Sequence, residues 1–285
     1  MHLSDHQLKA IEQLSIYKYL TSSQFNVLGV YKNRGDLTNS LKKLVDVKNA
    51  LIGKISFGVY PRLGKLEDFY YLTNDGKSFL IDNLGYTKEQ IKTVHKNSTE
   101  FHGHYFHRKY TIDFYIYFKR WLDENNGEVD FLDYYFDKVG NNRSKVKGEH
   151  LKGLNRMMLE DGRTFIPDAV SKFNIHDADY LFLFEQHNGE STKRLIEQLR
   201  VHCIALAEKT ATRKYNFGKS HRVAIVFEFE SVKNATINRL QAMEEFKRFY
   251  NHFIFKTNDE IKKDFVNNWT LIDGSKVSFT EKKST

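Results

Sequence analysis

The feature that most constrains this chain is a series of short apolar runs in its second half, each bounded by turn residues and separated by segments of helical periodicity. FIPDAVSKFNI reads as a strand, and after the turn HDAD a second strand, YLFLFEQH, carries Glu185 near its end before Asn188-Gly189 breaks it. From Glu190 to about Lys209, Leu195, Leu199, Cys203 and Leu206 share one helical face. HRVAIVFEFE is a further buried strand, SVKNATINRLQAMEEFKRFYN a further helix and HFIFKT a short strand. Upstream, FHGHYFHRKYTIDFYIYFKRWLDENNG has the spacing of a long helix closed by Gly127, and EVDFLDYYFDKV follows as a strand. Helix, strand, strand, strand, helix, strand is the order of a compact mixed α/β domain.

The first 85 residues follow a different plan. Ser4 or Asp5 is placed to cap a helix bearing Leu8, Ile11, Leu14 and Tyr17, and Thr21-Ser22 to cap a short second helix through Leu28. In DLTNSLKKLVDVKN, Leu37, Leu41, Leu44 and Val45 fall on one face and leave Thr38, Asn39, Lys42 and Lys43 outward. LIGKISFGVYPRLGKLEDFYYLT then reads as two strands around a basic tip, and NDGKSFLIDNLG restarts a helix. Between Tyr31 and Lys65 there are eight basic side chains (Lys32, Arg34, Lys42, Lys43, Lys48, Lys54, Arg62, Lys65) against two acidic ones, Asp36 and Asp46. Ammonium and guanidinium groups for phosphates, beside short amides and hydroxyls for base edges, are what a major-groove reader needs. The expected DNA-contacting set is therefore Arg34, Thr38, Asn39, Lys42, Lys43, Lys54, Arg62 and Lys65. The pattern is that of a winged helix-turn-helix domain over residues 1–85, followed by a polar linker, 86–99, and an α/β domain, 100–285.

A net charge of +8 with 28% charged residues agrees with a polyanionic partner, while 40% apolar residues are enough to fill real cores. The lone Cys203 cannot form an internal disulfide and reads as a small buried hydrophobe. With no basic-then-apolar N-terminal segment and no run of about 18 apolar residues, the expectation is a cytoplasmic protein without membrane insertion. Seven basic residues against three acidic ones between Lys138 and Arg163 make a second phosphate-contacting stretch or a solvated loop.

Pro167-Asp168 opens one strand and Glu185 stands near the end of the next, so two carboxylates meet at adjacent strand ends. Hard oxygen ligands of this kind hold a divalent cation, Mg²⁺ or Mn²⁺. Pro167-Asp168 and Glu185-Gln186-His187 resemble the core motifs of the PD-(D/E)XK nucleases, which implies a restriction-endonuclease-like fold with Asp168 and Glu185 as metal ligands. Where that family has a lysine two residues after the glutamate, this chain has His187; a histidine can serve as base or orient water, and Lys172 or Lys193 is the nearest alternative cation. Asp168, Glu185, His187 and Lys193 are thus the candidate catalytic set.

Across the whole chain, YYLTNDGKSFL, FHGHYFHRKYTIDFYIYF, IPDAV and LFEQHNGESTKRLIEQL followed by RVAIVFEF resemble the replication-relaxation family of plasmid proteins and the related MobC-type relaxases. The resemblance implies a plasmid DNA relaxase or site-specific nickase acting on double-stranded DNA at a plasmid origin, with other mobilisation or replication proteins as partners. Two further readings stand beside it: a non-catalytic DNA-binding regulator of plasmid replication with a degenerate nuclease fold, and a toxin-like or defence nuclease. His102, His104 and His107 invite comparison with paired metal-binding histidines, which Gly103 and the helical context disfavour, and with a zinc site, for which no carboxylate or thiolate stands at ligand spacing; His104 or His107 could also approach the nuclease site from the long helix.

Overall fold

The computed structural model describes residues 3–31, 33–45, 48–61, 63–94, 104–139 and 152–281, with the Arg34 side chain left aside. The chain divides into two compact units, Met1–Ile116 and Tyr117–Thr285. The architecture is mixed α/β, and none of the described helices is long and apolar enough to cross a membrane.

In the first unit, α1 (Asp5–Tyr17) begins at Ser4, whose Oγ accepts from the Gln7 amide while the Gln7 side chain accepts from the Ser4 amide. This reciprocal cap satisfies two of the donors that a helix start leaves open. Lys18, at φ 69°, ends the helix and starts β1 (Tyr19–Thr21), a strand too short for its pattern to be read and absorbed into the first helix in the sequence expectation. Thr21 and Gln24 make a second reciprocal cap for α2 (Ser22–Val27). In α3 (Arg34–Val45), Leu37, Leu41 and Leu44 are fully buried, as their spacing requires.

The expected pair of strands is four segments: β2 (Ile52–Ile55), β3 (Val59–Tyr60), β4 (Gly64–Lys65) and β5 (Phe69–Leu72). β5 lies between β1 and β2 in an antiparallel sheet, and β3 with β4 forms a separate antiparallel ladder towards the tip. The string after β5 is explained by geometry. Thr73 Oγ1 caps α4 (Asn74–Leu84) by accepting from the Gly76 amide at 3.1 Å, and it donates to the Ala50 carbonyl at 2.5 Å. Gly76 lies so close to the preceding loop that a Cβ there would sit 2.0 Å from the Leu51 carbonyl oxygen. Gly85 closes the helix in the left-handed conformation at φ 71°.

The division between units falls inside α5 (Tyr105–Glu124). Its first half packs with the first unit: Tyr105 meets Phe57 and Phe69, Tyr115 meets Tyr17, and Asp113 accepts from Gln24.

The second unit is built on a seven-stranded sheet. After β6 (Glu128–Tyr134) come two short antiparallel ladders, β7 (Lys138–Val139) with β8 (Lys152–Gly153) and β9 (Met157–Met158) with β10 (Thr164–Phe165). β11 (Ala169–Ile175) and β12 (Ala178–His187) then form a long hairpin. His176 and Asp177 turn it with φ of 50° and 58°, the positive values that a two-residue hairpin turn demands. Next come α6 (Thr192–Ala207), α7 (Thr210–Lys214), β13 (Arg222–Phe227), α8 (Glu230–Gln241), α9 (Glu244–Lys247), β14 (Phe253–Thr257), α10 (Asn258–Lys263), β15 (Trp269–Thr270) and β16 (Lys276–Val277). The strand order is β16-β15-β14-β13-β12-β11-β6. β6, β11 and β12 run antiparallel to their neighbours in that series, β12, β13 and β14 run parallel, and β15 and β16 return antiparallel.

Each face of this sheet carries a core. On one, Val170, Leu181, Leu183, Val223, Ile225, Phe227 and Phe255 pack with Leu195, Leu199 and Leu206 of α6 and Leu240 of α8. On the other, Phe118 and Trp121 from the second half of α5 meet Phe173, Phe265 and Phe279, and Phe279 stacks on Phe182 at 4.4 Å. Full burial of one such side chain contributes roughly 1.5–3 kcal/mol. β15 and β16 were not foreseen, being two residues each; Trp269 and Phe279, at and near them, are fully buried and hold that end against the sheet.

Candidate active site and basic surface

The β11–β12 hairpin brings the two predicted carboxylates together. Its ladder runs from Ile175↔Ala178 to Ala169↔Phe184, so the next rung sets Asp168 opposite Glu185. The Gln186 amide donates to Asp168 Oδ2 at 2.8 Å, and the Asp168 carboxyl adjoins that of Glu185. Asp168 is held from its own backbone as well, because its carbonyl accepts from the Tyr135 amide at 2.9 Å and the Pro167 carbonyl accepts from the buried Asn155 side chain. Proline cannot donate to a ladder, so its carbonyl is the group through which Asn155 anchors the strand end.

Both carboxyls are buried, Asp168 at 9% and Glu185 at 2% exposure. Burial, and next to it the adjacent Asp168, push the Glu185 carboxyl well above the usual carboxylate range. Helix α6 supplies the remaining neighbours. Its Gln198 Nε2 donates to Glu185 Oε2, and His202 Nε2 lies 2.6 Å from Glu185 Oε1. His202 is fully buried, and burial pulls its imidazole down to about 4, so the ring is neutral at neutral pH. Phe165 of β10 packs edge-on against it at 5.4 Å.

The other expected site residues are distributed more widely. His187 shares the Glu185 face by strand alternation; its ring meets Phe227 at 5.8 Å, with Gly189 beside it. Lys193 is exposed and lines a cleft of about 380 Å³ between α6 and α8, with Ile196, Arg200, Arg239 and Met243. Lys172 is four residues along β11 from Asp168, about 13 Å at strand rise, and forms a 2.8 Å ion pair with Asp130 that raises its pKa. Gln198 and His202 were missed in the sequence. The available signal was two polar residues, four apart, on the same face of α6 as Leu195, Leu199 and Cys203.

Two facing carboxylates are a hard-oxygen donor set that fits a divalent cation, whose charge would offset the repulsion now expressed in Glu185. Among the described residues, no group of three or more His, Cys, Asp or Glu side chains is arranged to hold a metal. His102 lies outside the described residues, whereas His104 is exposed just ahead of α5 and His107 lies in its first turn.

In the first unit, Thr38, Asn39, Lys42 and Lys43 are exposed on α3, opposite its buried leucines. Lys65 is exposed on β4, and Lys54 on β2 lies 3.9 Å from Asp68. Arg34 belongs to α3 by its backbone, while Arg62, Lys32 and the basic segment 140–151 fall outside the described residues. Comparison with protein-family models, with curated proteins and with solved structures returns no match to this chain.

Proposed function

We propose that this chain is a site-specific, metal-dependent DNA nickase of the relaxase kind, which binds duplex DNA at a plasmid origin and cuts one strand during mobilisation or transfer. The observation that carries the reading is the Asp168–Glu185 rung: two buried carboxyls meet at one strand end, within the order α5, β6, β11, β12, α6, β13. That order supports a restriction-endonuclease-like core. The first unit supports the targeting half, because α1, β1, α2, α3, β2 and β5 follow winged helix-turn-helix order and present Thr38, Asn39, Lys42 and Lys43 on the third helix.

Asp168 and Glu185 would hold Mg²⁺ or Mn²⁺. When bound, the cation supplies charge neutralisation at the scissile phosphate and a lowered pKa for water. The chain's own residues do the rest: the Gln186 amide fixes Asp168, Asn155 and Tyr135 anchor the strand end, and His187 is the proton-transfer group on the same face as Glu185. Two observations favour the second reading, a non-catalytic DNA-binding regulator: Lys193 opens onto the α6–α8 cleft, and Lys172 is engaged by Asp130.

The test is relaxation of a supercoiled plasmid carrying the cognate origin, with Mg²⁺ or Mn²⁺, by wild type, Asp168→Ala and Glu185→Ala. Nicking by wild type alone is the expected result. Cleavage that survives both substitutions refutes the site, and origin binding without cleavage selects the regulator.

A further inference from the structure

We infer that Gln198 and His202 are positioning residues that grip the two oxygens of Glu185 from α6 and aim its carboxylate for the cation shared with Asp168. The inference rests on the nuclease reading above and adds to it residues outside the strand motifs.

Four residues separate Gln198 from His202, so they lie one above the other on the helix. Each takes a different oxygen of the same carboxylate, Gln198 the Oε2 and His202 the Oε1. A glutamate side chain has three rotatable bonds; two donors from one rigid helix restrict its carboxylate to a single orientation. Each oxygen keeps a lone pair for a cation, because a carboxylate offers about four acceptor sites.

The histidine's surroundings assign its proton. His202 Nδ1 is buried and has no hydrogen-bond partner among the described residues. A proton placed there would be an unsatisfied buried donor and would leave Nε2 facing Glu185 with its lone pair. With the proton on Nε2, the ring donates to Glu185 and only an acceptor remains unused. The neutral Nε2–H tautomer is therefore the one that fits, and it acts as a fixed donor.

Packing alone does not account for this residue. A leucine at position 202 would match the Leu195, Leu199 and Leu206 surface of α6 and bury no unsatisfied nitrogen. The histidine's polar contact is with Glu185, and Phe165 closes the other side of its ring. Residues one step out from a metal ligand set its orientation and typically change metal affinity 10- to 100-fold when removed.

The experiment is a Mn²⁺ titration of the full chain, in which the electron paramagnetic resonance signal of free Mn²⁺ reports binding and circular dichroism confirms folding. Wild type should bind, and Asp168→Asn should abolish binding. His202→Leu and Gln198→Leu should each weaken binding by about 10- to 100-fold. His202→Gln, which restores a donor at the Nε2 position, should recover most of that loss, a rescue that a space-filling role would not produce. Gln198 is only half-buried, so its variant keeps the test open if His202→Leu fails to fold. Folded Gln198→Leu or His202→Leu protein with wild-type affinity overturns the clamp; if Asp168→Asn still abolishes binding in that case, the nuclease reading survives. Wild-type protein that takes up no Mn²⁺ overturns both.

Discussion

Glu185→Gln should stabilise the cation-free protein and at the same time remove its response to divalent metal. In the wild type, burial and the neighbouring Asp168 raise the Glu185 carboxyl above its ordinary value of 4.5. The native state therefore holds a proton that the unfolded chain releases, and stability falls as pH rises from about 4.5 through the raised value. Each pH unit in that window costs about 1.4 kcal/mol, so the ceiling at pH 7 is about 3 kcal/mol. Glutamine is isosteric and uncharged; its amide can donate to Asp168, or to Gln198 if that side chain turns its own amide over. The variant should match wild type near pH 4 and exceed it progressively above pH 5. For a unit of this size the difference at pH 7 corresponds to at most about 6–12 °C in Tm. Added Mn²⁺ at a hundred times its dissociation constant should stabilise wild type by about 2.7 kcal/mol and leave the variant nearly unmoved. Thermal melts from pH 4 to 8, with and without Mn²⁺, measure both effects. A wild-type-minus-variant difference that stays constant with pH would refute the buried titrating pair.

Three further outcomes follow from other parts of the molecule. Gly76→Ala forces a Cβ to 2.0 Å from the Leu51 carbonyl oxygen, so urea unfolding of the first unit should show a loss of about 3–5 kcal/mol. Lys42→Ala with Lys43→Ala should weaken duplex DNA binding at all sequences and reduce the slope of log affinity against log salt by about 1.8, as measured by fluorescence anisotropy. Lys256→Met removes a buried ammonium that donates to the carbonyls of Asp264, Phe265 and Asn267; denaturant melts should register a loss of about 2–4 kcal/mol.

What was legible in the sequence was whatever a local rule fixes. The Ser4 and Thr21 caps, the Leu37-Leu41-Leu44 face and the HDAD turn are each set by residues a few positions apart, and each is present in the structure. The Thr73-to-Gly76 string was visible as a pattern; its cause, the approach of Gly76 to Leu51, depends on a residue 25 positions away. β1, β15 and β16 escape a pattern search because two or three residues have no period; pairing alone defines them, β1 with the distant β5 and β15 with β14 and β16. The stretch after β6, expected as a phosphate-contacting segment or a solvated loop, carries two short antiparallel ladders, unreadable for the same reason.

The site divides along the same line. Asp168 and Glu185 were recoverable because a tight hairpin converts sequence position into register: once the turn sits at His176-Asp177, every rung is counted out to the Asp168–Glu185 pair. Lys193 is near Glu185 in sequence, but nearness along a helix does not select a face. Five residues separate Lys193 from Gln198, about 500° of helical rotation, or some 140° away in projection. Four residues separate Gln198 from His202, about 400°, which returns to within some 40° of the same direction. Once Gln198 faces Glu185, His202 follows and Lys193 is carried towards α8, as the hydrogen bonds and the cleft lining record. A search for the site's missing basic side chain should therefore move by fours from Gln198, which leads to Arg194. Arg194→Ala should impair cleavage more than Lys193→Ala in the plasmid assay, and the reverse order would show that this helical bookkeeping does not govern the chemistry.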